Sequence, residues 1–272
     1  MQARLALGGF EEELVLHKLD KILFVEDSEF PIRMGIIRCL KQYKIENSLN
    51  ILQKGLDETY LNILREVTNS LISVARGYPP SEDFIHKIEI SLENIAQNVY
   101  QLVLFLDSLP DDENCFLIRD HINSDIKQLI RIILKLGIMH NPNTPIETYI
   151  QYVANQDPEL MPYVLELVDS TFSSGNRKLT MPLIDADISE VQSGKDLFMN
   201  LLVDFDDLIL FWIHGEHKWK TAIALNYTIK SNRQDLLKKV DWGKIQNLSL
   251  IHISEPTRRY AIAYAGLWVK KK

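Results

Sequence analysis

From Ile88 onward the apolar side chains fall at Leu92, Ile95, Val99, Leu102 and Leu106, in steps of four, three, four, three and four. That spacing lays one apolar stripe along a helix of 3.6 residues per turn and does not suit a strand, whose side chains alternate every second residue. The same period runs through Ile122, Ile126, Leu129, Ile133 and Leu136. Nowhere between the helical stretches does a strand alternation survive. Turn formers are scarce as well, with 11 Gly and 10 Pro in 272 residues. A sandwich or barrel needs a turn every 8–12 residues or so, so the expected fold class is all-α.

Local punctuation sets the expected boundaries. Short helices are expected over 10–24, 30–43, 46–55 and 59–76. Pro79-Pro80-Ser81 opens a long helix with Ser81 as N-cap, and Pro110-Asp111 closes it. A second long helix is expected to end at Gly137 and Asn141-Pro142. Thr144-Pro145-Ile146-Glu147 reads as a capping box with proline at the first helical position. Asp157-Pro158-Glu159 starts the next helix, which runs to Phe172, and Pro162 either delays its start or distorts its first turn. Ser173-Ser174-Gly175-Asn176 reads as a turn, and further helices are expected at 188–213, 216–230 and 233–240.

Composition narrows the class. At 46% hydrophobic and 25% charged residues the chain sits at globular averages, which excludes wholesale disorder. A net charge of −7 argues against a general nucleic-acid or anionic-membrane binder. Cys39 and Cys115 cannot staple a chain of this length and suit a reducing compartment. No apolar run approaches the roughly 18 residues of a membrane span, and the first residues carry no signal-peptide pattern.

The tail belongs to a different category. Leu248-Ser-Leu-Ile-His-Ile-Ser-Glu-Pro-Thr-Arg258 resembles the translation of a transposase sequencing adapter, and Arg259 to Lys272 resembles read-through of index, primer and poly-A. Residues 248–272 are therefore expected to be an artefactual tail, with 1–247 forming the helical domain and the natural polypeptide continuing past Asn247. The tail holds five of the 30 basic and one of the 37 acidic residues, so residues 1–247 carry 25 against 36, a net charge of −11. His252 and Trp268 then carry no functional weight.

Short helices joined by tight turns, with no sheet between them, suit a bundle or a stack of helical hairpins. A stack needs only nearest-neighbour contacts and extends without one very large core. Asp27 in an inter-helix turn, followed six residues later by Arg33, has the form of an Asp–Arg repeat pair, in which the guanidinium satisfies a carboxylate of its own or the neighbouring repeat. About thirty residues on, Asp57-Glu58-Thr59-Tyr60 leading to Arg65 is a looser echo, and a period of that size fits helical-hairpin repeats.

Tyr163-Val-Leu-Glu-Leu-Val-Asp-Ser-Thr-Phe172 followed by Lys178-Leu-Thr-Met-Pro-Leu-Ile-Asp185 resembles the A-L-E-L-L-D-N-x-L … L-x-P-L-L-E segment of bacterial HEAT-like repeat regions. Trp219-Lys-Thr-Ala-Ile-Ala-Leu225 is similar to the W-L-K-A-C-A-L-Y that continues that pattern. Ser170 stands where the pattern has Asn, and Val168 and Phe172 where it has leucines. In such proteins the repeats commonly follow a membrane part related to ATP/ADP translocase-type transporters, sometimes with a cyclic-nucleotide-binding domain beyond. The resemblance implies a HEAT-like α-solenoid of antiparallel hairpins, here a fragment, with Trp212 and Trp219 packing across the turn between their helices. It also implies a cytoplasmic segment, and allows tethering to the inner membrane through a missing N-terminal region.

Candidate chemistry is sparse. His214-Gly215-Glu216-His217 is the His-rich cluster, and Asp207 lies seven residues before His214 on a similar face. Gly215 breaks the helix between the histidines and the spacing is not H-E-x-x-H, so exposed turn histidines are expected and no metal. Asp204-Phe205-Asp206-Asp207 lacks the glycine and spacing of a calcium loop. Gly8-Gly9 is no phosphate loop, no serine sits in a G-x-S-x-G context, and His121 is off-phase from Cys115. Cys39 is expected in the core. Tyr149, Tyr152 and Tyr163 either pack ordinarily or line a peptide groove.

No catalytic residue, metal or cofactor is therefore expected. The expected function is a non-enzymatic helical-repeat scaffold whose partner is a protein or a neighbouring domain of the parent chain, with no nucleic acid and no membrane span in this segment. The rival is a ligand- or metal-binding regulatory α-helical bundle.

Overall fold

The computed structural model describes residues 12–23, 29–43, 45–155, 158–185, 198, 201, 204–215 and 217–244. Asp27, Glu216, most of 188–203 and the whole 248–272 tail lie outside them. Every regular element among the described residues is helical, with no strand. The helices are α1 Glu12–Leu23, α2 Phe30–Leu40, α3 Glu46–Gln53, α4 Leu61–Ala75, α5 Glu82–Asp107, α6 Phe116–Gly137, α7 Ile146–Asn155, α8 Met161–Thr171, α9 Ser174–Asp185, α10 Phe205–His214, α11 Lys218–Lys230 and α12 Gln234–Leu237. Short 3-10 turns occupy Lys54–Asp57, Glu113–Cys115, Ile138–His140 and Trp242–Lys244. By backbone proximity the chain divides into two compact units, Met1–Tyr100 with Asp125–Leu197, and Gln101–Ser124 with Phe198–Lys272.

In the first unit α1 packs on α2 and α3 on α4, and α1 also meets α3 while α2 meets α4. The apolar face of α4 supplies Ile63, Leu64, Val67, Leu71 and Ile72 to this core. Each such side chain removed from water contributes about 1.5–3 kcal/mol before chain entropy is set against it. Further along, α7 packs on α8 and α8 on α9. Tyr100 is fully buried, and its hydroxyl donates to the Leu179 carbonyl at 2.9 Å. That bond reaches α9 one residue past the Lys178 carbonyl, whose intrahelical donor would be the N–H that Pro182 lacks.

In the second unit α10 packs on α11, α11 on α12, and the turn Glu113–Cys115 also rests on α11. Eight consecutive residues of α11, Thr221 to Thr228, are buried, so this helix is surrounded rather than merely supported. It ends in a Schellman motif. Asn232 takes the left-handed conformation at φ 51°, its N–H donates to Ile229, and the Arg233 N–H donates to Thr228.

Ser81 caps α5 as expected, its hydroxyl accepting from the Phe84 N–H at 3.3 Å. Elsewhere the helix ends depart from the sequence expectation. The Thr144 hydroxyl donates to the Asn141 carbonyl at 2.9 Å instead of closing a capping box, and Glu147 turns to Lys135 at 2.7 Å. Lys135 also donates to Asn69 at 2.7 Å, so a tie between helices takes the carboxylate the local motif would have used. The helix placed at 157–172 starts at Met161, which puts Pro162 in the first turn, where its missing N–H costs nothing. The turn placed at 173–176 is shorter, because α9 already begins at Ser174. Within the span expected to be helical from 188 to 213, a helix starts at Phe205, because the Asp204 carboxylate accepts from the N–H groups of Asp206 and Asp207 at 2.7 and 3.2 Å.

Candidate functional site

Several of the residues that drew attention in sequence are engaged in holding helices in place. Arg33, one half of the expected repeat pair, lies early in α2 and is largely withdrawn from solvent. Its Nε donates to the Leu23 carbonyl at 3.1 Å, and its guanidinium forms an ion pair with Glu58. Glu58 stands between the 3-10 turn and α4, in the looser echo of the pair, so the tie runs from the first hairpin to the second. Burial pulls the Arg33 pKa down, the cost of bringing this charge to a half-dry contact. The Asp27 half of the pair is outside the described residues.

The Asp204–Asp207 cluster divides into separate tasks. Asp204 caps α10, Asp206 accepts from Arg233 Nη2 at 2.6 Å, and Asp207 stays exposed. Arg233 also grips Asp235 through two bonds, Nε to Oδ1 at 3.0 Å and Nη2 to Oδ2 at 2.7 Å. This fork holds the Asp235 carboxyl down at about 2 and raises Arg233 above its already high value.

Behind Arg233 lies a buried layer that sequence reasoning missed. The Tyr227 hydroxyl hydrogen-bonds with Arg233 and lies beside the fully buried Cys115 thiol. Burial pushes Cys115 up to about 11, with the nearby Asp112 carboxylate adding to the effect. Tyr227 rises for the same leading reason. Asp112 accepts from the Ser231 hydroxyl at 2.6 Å and the Asn114 N–H at 2.8 Å, and these bonds lower its pKa. The ring of Phe205 meets Tyr227 edge-on, with centroids 5.3 Å apart. A neutral thiol under a hydrogen-bonded phenol is a poor nucleophile. No local motif could have revealed a network running from Asp112 to Asp235; the short signals within reach were the Asn232 turn and the Arg233–Asp235 spacing.

Some of the histidines and aromatics are likewise engaged. His214 Nε2 accepts from the Asp241 N–H at 3.0 Å, and His217 sits at the N-cap position of α11. No group of three His, Cys, Asp or Glu side chains arranged to hold a metal occurs among the described residues. Trp212 is buried, with the His121 ring edge-on at 5.5 Å and Lys220 Nζ 5.5 Å over its face. The Thr221 hydroxyl donates to the Trp212 carbonyl at 2.9 Å, which fastens α11 to α10, and Trp219 is half-buried on α11. The His121 side chain thus turns to the indole. Cys39 is buried in α2, as expected. Tyr149 and Tyr152 are half-buried and form an edge-on pair with centroids 6.0 Å apart, while Tyr163 on α8 is exposed.

No protein-family model, curated protein or solved structure matches the chain. The class that the fold itself defines is an all-helical protein, and no helix among its described residues is long and apolar enough to cross a membrane.

Proposed function

We propose that the chain is a non-enzymatic helical-repeat scaffold, a HEAT-like stack of hairpins that presents its surface to a protein partner or to a neighbouring domain of its parent. The observation that carries this reading is the pairing in the first unit. Beyond α1 with α2 and α3 with α4, contacts run from α1 to α3 and from α2 to α4, as when one hairpin is laid on the next. The Arg33–Glu58 ion pair joins the same two hairpins. Among the described residues, Asp204 caps a helix and Lys135 with Glu147 ties two together. Exposed apolar side chains remain, among them Phe30 and Ile32 at the start of α2 and Tyr163 on α8.

The sequence resemblance extends this reading to a larger bacterial parent, transporter-like or responsive to cyclic nucleotides, with this segment on the cytoplasmic side. The test pairs two measurements on the full chain. Thermal melts with Zn2+, Mg2+, ATP and a cyclic nucleotide should leave the midpoint unchanged. Crosslinking in a bacterial lysate should capture a saturable protein partner that Phe30→Glu or Tyr163→Glu weakens without lowering the melting temperature. A midpoint raised by zinc but not magnesium, with no partner captured, would replace the scaffold with a ligand-binding bundle.

A further inference from the structure

We draw no further inference here: the strongest candidate, the surface patch at the C-terminal end of α10 where Phe211 and Trp242 are exposed, is an apolar face, and nothing in the structure shows what covers it.

Discussion

Gly137 and Gly35 are both helical glycines in the first unit, yet opposite consequences are expected when each acquires a methyl group. A Cβ at Gly137 would fall 1.9 Å from ring atoms of Phe172, which is itself buried at the end of α8. Gly137 ends α6 as the sequence places it, and its bare Cα also serves a close approach. Gly137→Ala should destabilise the chain by about 2 kcal/mol through overpacking, read as a lower urea midpoint. A Cβ at Gly35 meets nothing within 4 Å. Gly35→Ala should therefore stabilise α2 by about 0.5–1 kcal/mol through helix propensity alone, and a loss of stability there would contradict the packing described. Asp235 supplies a third expectation at this scale. Its folded carboxyl sits at about 2, below the unfolded value of about 3.9. The stability it contributes is present above the unfolded value and disappears as pH falls through about 2. The urea-midpoint difference between the unaltered chain and Asp235→Asn should hold steady from pH 7 to about 4 and shrink below that. A difference independent of pH would remove the Arg233–Asp235 bond from the account.

Helix ends decide the boundaries between elements. Asn232 ends α11 in the left-handed region, where glycine is at ease, asparagine tolerable and a β-branched side chain strained. Asn232→Gly should be nearly neutral, whereas Asn232→Val should cost about 1–2 kcal/mol by thermal or urea unfolding. If the two variants were equally stable, the Schellman geometry would be wrong. The caps also mark the limit of local reading. Ser81 was legible because its N–H partner lies three residues away. The Thr144 box failed because Lys135, nine residues earlier and on another helix, takes the Glu147 carboxylate. Asp204 reads as part of an acidic cluster, and only the backbone identifies it as a cap.

For the whole molecule, the question is whether successive hairpins are joined. Arg33 and Glu58 test this, since one belongs to the α1–α2 hairpin and the other leads into α4. Arg33→Met and Glu58→Gln should each destabilise the chain, and the double variant should show a coupling of about 1–2 kcal/mol in urea unfolding. Strict additivity would mean that the pair contributes no link between hairpins.

The all-helical class follows from the spacing of apolar residues, because burying a stripe of period 3.6 leaves a single backbone solution. The sequence likewise placed α2, α4 and α5, and the end of α6, to within a few residues, since each carries its own stripe and its own stop signals. Tertiary structure alone decided where the polar groups go. Arg33 reaches Glu58, 25 residues further along the chain, Trp212 takes His121 and Lys220 as neighbours, and Cys115 meets Tyr227 from a distant stretch of chain. The reason is one of range. Helix propensity and capping act over three or four residues. An ion pair or a buried phenol is satisfied by whatever group the packed core brings within about 3 Å, and no periodicity records that.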